Sequence, residues 1–389
     1  MENESIVFTL FLIFAGAAFI ATIAMAMRQS LIIAYIAVGL LIGPSGFELI
    51  HDPTLIQNIA NVGIIFLLFL LGLNLDPKEL IRLAGETTIV TGVSSILLLL
   101  MGYFYSTFMG FTHIESLVIG SSLMFSSTII GLKLIPTTVL HHQHTGEIMI
   151  SVLLLQDIIA IVLLLVLDGS AEQTTSWMTM LKPLLALPLL VIVTYLIEKY
   201  ILIRLIRKFD QIQEYIFLLA IGWCLGVAEA AELMGLSYEI GAFIAGVSIA
   251  TSPIALFIAE SLKPLRDFFL IIFFVALGAN FDVSILNQIW MAAIGLTVLA
   301  IFIKPFLYRL LLRYSKESSG RSTEVAIRLG QMSEFSLLLA VLAVEMGVIR
   351  EHAGFLIQFA TLLSFVISST YVVMTYPTPI ALSEKLRRA

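Results

Sequence analysis

About thirteen long apolar runs constrain the fold of this 389-residue chain more than any other feature. A helix of about 20 apolar residues, rising about 1.5 Å per residue, crosses the roughly 30 Å hydrocarbon layer of a membrane. Charged residues make up only 12% of the chain, whereas soluble domains carry about a quarter. We therefore predict an all-α polytopic membrane protein with about thirteen transmembrane helices.

The predicted spans lie at about 6–27, 31–49, 56–75, 86–110, 115–137, 147–168, 178–203, 213–234, 237–253, 266–281, 284–312, 323–347 and 353–376. The runs at 31–49 and 237–253 are short and rich in glycine, so we expect each to be tightly bent or broken. The only cysteine, Cys224, lies in an apolar run, which excludes a disulfide framework and a cysteine-based metal site.

Lysine and arginine residues are distributed very unevenly between the two sets of predicted loops. Seventeen fall in one set together with the C-terminus, and only Lys182 and Arg350 fall on the opposite side. Basic loops stay in the cytoplasm, so we predict an external N-terminus and a cytoplasmic C-terminus. The expected location is the plasma (inner) membrane of a bacterium.

An internal repeat relates the two halves of the chain. The segment Leu71–Asp76, LGLNLD, corresponds to Leu277–Asp282, LGANFD, at an offset of 206 residues. The same offset carries Phe125–Thr128 onto Gln331–Glu334. The related spans, third and tenth, are an odd number apart, so the two copies are inverted in the membrane. Inverted repeats are the architecture of secondary transporters.

The repeat predicts a division of the chain into four segments. They are a first inverted repeat at 1–177, a linker span at 178–210, a second inverted repeat at 211–376 and a basic cytoplasmic tail at 377–389. Mid-span serine, threonine, glycine and proline residues in the fifth and twelfth spans predict two discontinuous helices that cross. Hydroxyl residues that back-bond to their own helix, or pack between spans, are the alternative explanation.

Asp157 lies near the middle of an otherwise apolar run, Ile150–Leu167, with Gln156 beside it. An ionisable side chain at that depth costs about 2.5–3.5 kcal/mol on insertion scales, which makes it a functional-site hypothesis by default. A buried carboxylate can bind either a proton or a dehydrated cation. The alternative is a structural carboxylate that pairs with a neighbouring helix.

Several motifs resemble the Kef-type branch of the monovalent cation:proton antiporter-2 family over essentially the whole chain. They are LLLQDIIAI around Gln156 and Asp157, GQMSEFSLL around Glu334, LSYEIGAFIAGV at Leu236–Val247, FFVALGANFD at Phe273–Asp282 and FLLGLNLDPKEL at Phe69–Leu80. The resemblance implies a sodium/proton antiporter-like fold, a homodimer with a scaffold domain and a mobile core domain, and potassium–proton exchange at the Gln-Asp pair.

The resemblance is incomplete in the regulatory parts. Glutathione-gated Kef proteins continue into a cytoplasmic nucleotide-binding domain, whereas this chain stops at Ala389. The predicted cytoplasmic loop Thr251–Asp267 keeps only part of their acidic loop. We therefore expect a separate cytoplasmic regulatory subunit, a regulatory domain missing from this chain, or intrinsic gating. The other expected partner is membrane lipid, with no nucleic acid and no cofactor beyond the transported K⁺ (or Na⁺) and H⁺.

Oxygen atoms around Asp157 are the predicted ion ligands. The carboxylate supplies one or two oxygens, and the Gln156 carbonyl supplies another unless Gln156 instead orients a neighbour. The hydroxyls of Ser126, Ser127 and Thr128, with carbonyls freed at the helix break, complete the set. A single shared carboxylate predicts electroneutral one-for-one exchange.

Four further residues are predicted to support the site. Lys304 either holds the broken helix ends through their carbonyls, pairs with Asp157, or snorkels towards the membrane surface. Glu334 is a counter-charge to Lys304 or a second proton-titrating group. Ser333 and Gln331 lie at the matching depth in the twelfth span.

A histidine cluster, His141, His142 and His144, precedes the Asp157 span and is a candidate pH sensor, with a solvated loop as the alternative.

Three rival functions remain open at this point. They are a sodium–proton antiporter, a gated potassium channel-like protein, and an organic-anion transporter of the same architecture. The chain lacks a TVGYG-like filter, which disfavours a potassium channel. An acidic midplane residue disfavours anion transport. An enzyme is not expected, because no nucleophile–base or metal-ligand spacing occurs in the spans.

Overall fold

The computed structural model describes residues 6–27, 29, 31–50, 54–74, 86–127, 144–171, 177–209, 212–252 and 254–376. All regular secondary structure within these ranges is helical, which confirms the predicted fold class. The α-helices in chain order are α1 (Ile6–Ala26), α2 (Leu31–Ile42), α3 (Thr54–Asn74), α4 (Glu86–Phe108), α5 (His113–Met124), α6 (His144–Ala171), α7 (Trp177–Ile197), α8 (Ile203–Lys208), α9 (Gln213–Leu233), α10 (Tyr238–Ala250), α11 (Ala255–Ala279), α12 (Leu286–Val298), α13 (Lys304–Tyr314), α14 (Ser319–Arg328), α15 (Glu334–Glu345) and α16 (Glu351–Thr375).

Two π-helical turns join neighbouring α-helices into long spans. Glu198–Leu202 connects α7 to α8, and Leu299–Ile303 connects α12 to α13. Eight spans in the described ranges are long and apolar enough to cross a membrane, and α2 and α10 are shorter apolar helices. These findings confirm a multi-pass membrane protein, whereas the total of thirteen spans stays a prediction.

One sequence expectation about helix bounds is wrong. The tenth span begins at Ala255 rather than near 266, so most of the predicted loop Thr251–Asp267 is helical. The reason is that Ile258 and Leu262, one helical turn apart, are buried in the hydrophobic core and extend the apolar face. Of the two short runs, 237–253 forms the continuous helix α10, whereas in 31–49 helix α2 ends at Ile42 and a turn follows.

One compact unit comprises residues 1–17, 35–81 and 164–280. In its described part α3 packs against both α10 and α11, and α9 packs against α10. The core cluster is formed by apolar residues of α3 and of helices α7 to α11, among them Phe69, Cys224 and Ile258.

Two glycines let helices of this unit approach backbone to backbone. A Cβ atom on Gly39 of α2 would collide with the Val275 carbonyl of α11. A Cβ atom on Gly246 of α10 would collide with the Phe69 carbonyl of α3. The two glycines are 246 − 39 = 207 residues apart, close to the 206-residue offset of the predicted repeat. In each contact, an element of one predicted repeat packs on the other repeat.

The second compact unit comprises residues 18–34, 82–163 and 281–389. Among its described helices, α4 packs against α5, α13 against α14, and α16 against α12 and α15. Both units take segments from the predicted repeats at 1–177 and 211–376, so each repeat contributes to both compact bodies. The boundaries of the repeats, the linker 178–210 and the tail 377–389 stay predictions.

Candidate functional site

The end of helix α5 and the interruption between α14 and α15, called here the first and second breaks, meet in the second unit. Helix α5 ends at Met124, and the backbone at Phe125 is extended, with φ −79° and ψ 142°. Helix α14 ends at Arg328, and α15 does not begin until Glu334. The Ser126 hydroxyl donates a hydrogen bond of 2.8 Å to the Leu329 carbonyl, which joins the two breaks. Helix ends expose unpaired backbone groups, so the side chains that satisfy these groups define the site.

Lys304 connects the carbonyls of both breaks. Its side chain is fully buried, and its Nζ donates hydrogen bonds to the carbonyls of Phe125, at 2.5 Å, and Gln331, at 2.9 Å. These carbonyls lie 331 − 125 = 206 residues apart, at equivalent positions of the predicted repeat. Full burial excludes snorkelling, and the geometry matches the predicted role of holding the broken ends together. The ammonium group partly offsets the negative C-terminal end of α5.

Gln156 fixes the first break. Its Oε1 accepts a hydrogen bond of 3.0 Å from the Ser126 amide, and its Nε2 donates to the Met124 carbonyl at 2.8 Å. Nε2 also donates to the hydroxyl of Tyr308 at 2.6 Å. Both polar atoms of the side chain therefore have protein partners. Of the two predicted roles of Gln156, this geometry matches orienting the neighbouring backbone rather than supplying an ion ligand.

Asp157, the next residue of α6, is buried with 4% of its surface exposed. No hydrogen bond or ion pair to its carboxylate occurs in the described ranges, whereas its charge interacts unfavourably with that of Glu334. Burying a charge without a partner costs free energy, so binding of a proton or a cation, which neutralises this carboxylate, is favourable. Ser127 is fully buried in the extended segment after α5, and Thr128 lies outside the described residues.

The second break is closed by a serine cap. The Ser333 Oγ accepts a hydrogen bond of 3.1 Å from the Phe335 amide, and the Ser333 amide donates to the Ser336 Oγ at 3.3 Å. The Ser336 hydroxyl in turn donates to the Ser122 carbonyl of α5 at 2.6 Å. Glu334 is the first residue of α15, where the helix dipole favours a negative charge.

Sequence reasoning missed Ser336, described above, and three further residues of this site. Ser364 of α16 accepts a hydrogen bond of 3.0 Å from the Met332 amide, and Ser368 donates to the Gln331 Oε1 at 3.0 Å. Tyr308 accepts from Gln156, as described above. Met332 and Ser126 are equivalent positions of the predicted repeat, and their amides are bonded by Ser364 and Gln156 respectively. Ser364 lies two residues beyond the position equivalent to Gln156 (156 + 206 = 362), so the repeat offset alone does not identify it.

The opposite end of α5 carries an ion pair. Arg350, which precedes α16, donates from Nε and Nη2 to the two carboxylate oxygens of Glu115, at 2.7 and 2.8 Å. Glu115 also accepts from the backbone amide and the hydroxyl of Thr112, both at 2.9 Å. These bonds, led by that from Arg350, lower the pKa of Glu115 to about 2.

The predicted histidine cluster cannot be placed. His141 and His142 lie outside the described residues, and so does the side chain of His144. A pH-sensing role for them stays a prediction.

Known proteins are similar to this chain over most of its length. The profile of the family described as "Sodium/hydrogen exchanger, transmembrane" matches residues 11–376. Two similar relatives are K(+) efflux antiporters 5 and 6 of Arabidopsis thaliana, both 28% identical over 87% of this chain. The chain spans 61% and 58% of their respective lengths.

The fold is similar to that of the sodium proton antiporter MjNhaP1 from Methanocaldococcus jannaschii, with a TM-score of 0.71 and 18% identity, covering 94% of this chain and 96% of that one. The predicted resemblance to cation:proton antiporters is thereby confirmed. Because the family profile covers nearly all of the chain, this protein belongs to the transmembrane sodium/hydrogen exchanger family, as a membrane domain of the cation:proton antiporter type.

Proposed function

We propose that this protein exchanges K⁺ for H⁺ across a membrane by alternating access, with Asp157 as the shared binding group. The observation that carries the proposal is the buried Asp157 carboxylate, which has no hydrogen-bonding partner in the described ranges and stands beside two joined helix breaks. Such a carboxylate accepts a proton or a cation, and either one neutralises it. Mutually exclusive binding couples the two fluxes.

Exchange at this site is electroneutral when only the occupied forms of the carrier cross. Protonated Asp157 and cation-bound Asp157 carry the same net charge, so one K⁺ moves for each H⁺. We assign Lys304 no part in the proton exchange, because its hydrogen bonds go to the Phe125 and Gln331 carbonyls. In this proposal Lys304 is a structural cation, and Glu334 sets the electrostatic field at Asp157.

The ligands proposed for the ion are oxygens of the first break. Asp157 provides carboxylate oxygens, and the hydroxyls of Ser126, Ser127 and Thr128 add neutral ones. Ser126 uses its proton in the bond to Leu329, so its oxygen lone pairs remain available for a cation. Gln156, Gln331 and Ser333 then act as supports that hold the backbone at the two breaks.

The choice of K⁺ is supported by the names of the sequence relatives, which are K(+) efflux antiporters. A sodium–proton antiporter is the second candidate, because the family profile is described for sodium/hydrogen exchangers and the structural neighbour is a sodium proton antiporter.

We further propose a homodimer, an external N-terminus and a cytoplasmic C-terminus. A gated channel of the same fold is the candidate from another class.

Proton flux into proteoliposomes tests the proposal. The lumen contains a pH dye, and gradients of potassium, sodium or choline chloride are imposed on the wild type and on Asp157→Asn. We expect potassium to drive proton movement, choline to drive none, and Asp157→Asn to reduce the flux at least 100-fold. Asp168→Asn, a carboxylate at the end of the same helix α6, is the matched control and retains the flux.

Other outcomes select the rivals. Equal flux with sodium identifies a carrier of both ions, and flux with sodium alone identifies a sodium–proton antiporter. A potassium current without proton movement identifies a channel. Full coupled flux in Asp157→Asn would overturn the assignment of the carrier group and direct the search to Glu334.

A further inference from the structure

An apolar groove with a basic end runs along one face of the first unit. It lies between the α7–α8 span and α9, and its volume is about 340 Å³. Its lining includes Ile201, Leu205, Tyr215, Leu218, Gly222 and Trp223. The groove is apolar along its length, and its outer residues are exposed, with Leu218 at 68% and Ile201 at 54%.

Two basic residues continue the helical face that lines the groove. Ile201, Leu205 and Lys208 follow one another at spacings of four and three residues, and Arg204 lies four residues before Lys208, so all four share one face. Among the described residues, Arg204 and Lys208 take part in no ion pair. The end of the groove therefore presents two positive charges that form no ion pair with the described residues.

Aromatic contacts hold these cations at the mouth of the groove. The Lys208 Nζ lies 5.4 Å from the centroid of the Phe209 ring, and Phe209 packs at 5.0 Å against Tyr215, which lines the groove. The Arg204 guanidinium lies 5.8 Å from the centroid of the Tyr200 ring. Cation–π contacts orient the charged groups, and aromatic rings favour the membrane interface.

We propose that this groove binds one anionic phospholipid, with an acyl chain between Leu218 and Ile201 and the phosphate at Arg204 and Lys208. The occupant must be apolar along one part and negatively charged at one end, and a phospholipid of this kind meets both requirements. Occupation of the groove by a second copy of the chain is the alternative that the experiment below distinguishes.

Gly222 allows the acyl part of the site to be blocked without disturbing the fold. A Cβ atom added at Gly222, which lines the groove, meets no atom within 4 Å. The same is true of Gly226, which lies one turn further along α9 and does not line the groove. Gly222→Phe and Gly226→Phe are therefore a matched pair, because both add the same side chain to an open position of one helix.

Thermal unfolding of the delipidated full chain in detergent tests the proposal. Phosphatidylglycerol and phosphatidylcholine with the same acyl chains are added to the wild type and the variants. We expect phosphatidylglycerol to raise the melting temperature by about 2–5 °C and phosphatidylcholine to raise it by less than half of that. Gly222→Phe loses the response to phosphatidylglycerol, whereas Gly226→Phe keeps it.

The charge requirement is tested with a double variant. Arg204→Gln with Lys208→Gln weakens the response to phosphatidylglycerol about 10- to 30-fold in lipid concentration. Arg309→Gln with Arg313→Gln, an exposed basic pair with the same spacing in α13, leaves it unchanged.

Equal responses to both lipids overturn the proposal. A Gly222→Phe variant that becomes monomeric while keeping its lipid response also overturns it, and assigns the groove to a second copy. Both outcomes leave the Asp157 assignment untouched.

Discussion

The side-chain amide of Gln156 donates a hydrogen bond of 2.6 Å to the hydroxyl of Tyr308, and both side chains are buried. This bond ties α6, which carries Asp157, to α13, which begins with Lys304. Tyr308 therefore links the residue that fixes the first helix break to the helix whose lysine joins the two breaks. The pair holds the carboxylate in place without contacting the ion in our proposal.

Tyr308→Phe is expected to weaken the site without removing it. Gln156 keeps its bonds to Ser126 and Met124 but loses one acceptor, which costs about 1–2 kcal/mol in the free energy of unfolding. The apparent KM for the cation should rise several-fold, because the orientation of Gln156 relaxes. Thermal unfolding and proton flux measure the two effects. Tyr314→Phe, at an exposed position of the same helix, is the control, and equal behaviour of both variants would contradict the prediction.

Lys304→Met is expected to destabilise the protein strongly. The substitution leaves two buried carbonyls without a donor, and each unsatisfied group costs about 1–3 kcal/mol. We expect a loss of folded protein after extraction, measured by size-exclusion chromatography and thermal unfolding. Arg309→Gln, an exposed cation on the same helix, should leave the yield unchanged. Normal folding and normal flux in Lys304→Met would refute the structural role.

Ser333→Ala removes the N-cap of α15. The expected cost is about 1 kcal/mol in the free energy of unfolding, because the Phe335 amide loses its acceptor. Exchange should slow as well, since Glu334 then stands on a less ordered helix terminus. Ser333→Asn restores a capping oxygen and should recover most of the stability. A stability of Ser333→Ala equal to that of wild type would show that the cap is replaced by another group.

The Glu115–Arg350 ion pair predicts a specific dependence of stability on pH. The pKa of Glu115 is lowered from 4.5 to about 2, so the carboxylate binds protons less readily in the folded state than in the unfolded state. Its stabilising contribution is therefore fully present above about pH 4.5 and is lost as the pH falls towards 2. It does not vary between pH 6 and 9.

Melting temperatures of wild type and Glu115→Gln measure this contribution. We expect a constant difference between pH 6 and 9 that shrinks below pH 4.5. The pH dependence of exchange near neutrality should be the same in both proteins. A difference that changes between pH 6 and 9 would mean that the pair titrates in the working range.

Sequence patterns predicted the long apolar helices and the break between α14 and α15, because these depend on local properties. Long apolar runs require helices in a membrane, and clustered Ser126, Ser127 and Ser333 mark places where side chains can satisfy exposed backbone groups. Asp157 and Lys304 were recognisable because charged residues are rare at that depth.

The contacts among these residues were less accessible to sequence reasoning. Ser364 and Ser368 lie in an apolar helix, where a serine usually bonds to its own backbone, so their bonds to the second break depend on tertiary packing. Tyr308 follows Lys304 by one turn in a segment that ends in basic residues, and nothing in the chain indicates which face is buried. The start of α11 at Ala255 was missed because the charged residues between Glu260 and Asp267 indicated a loop. The buried residues Ile258 and Leu262 lie on the core-facing side of the same helix segment.

The close approach of Gly39 to α11 and of Gly246 to α3 has a consequence for synthesis of the protein. The partner surface for α2 leaves the ribosome more than 200 residues later, which at about 5–20 residues per second is roughly 10–40 s. During that interval the glycine face of α2 lacks its partner α11. The early helices must therefore wait in the membrane, and completion of the first unit depends on helices inserted in the second half of translation.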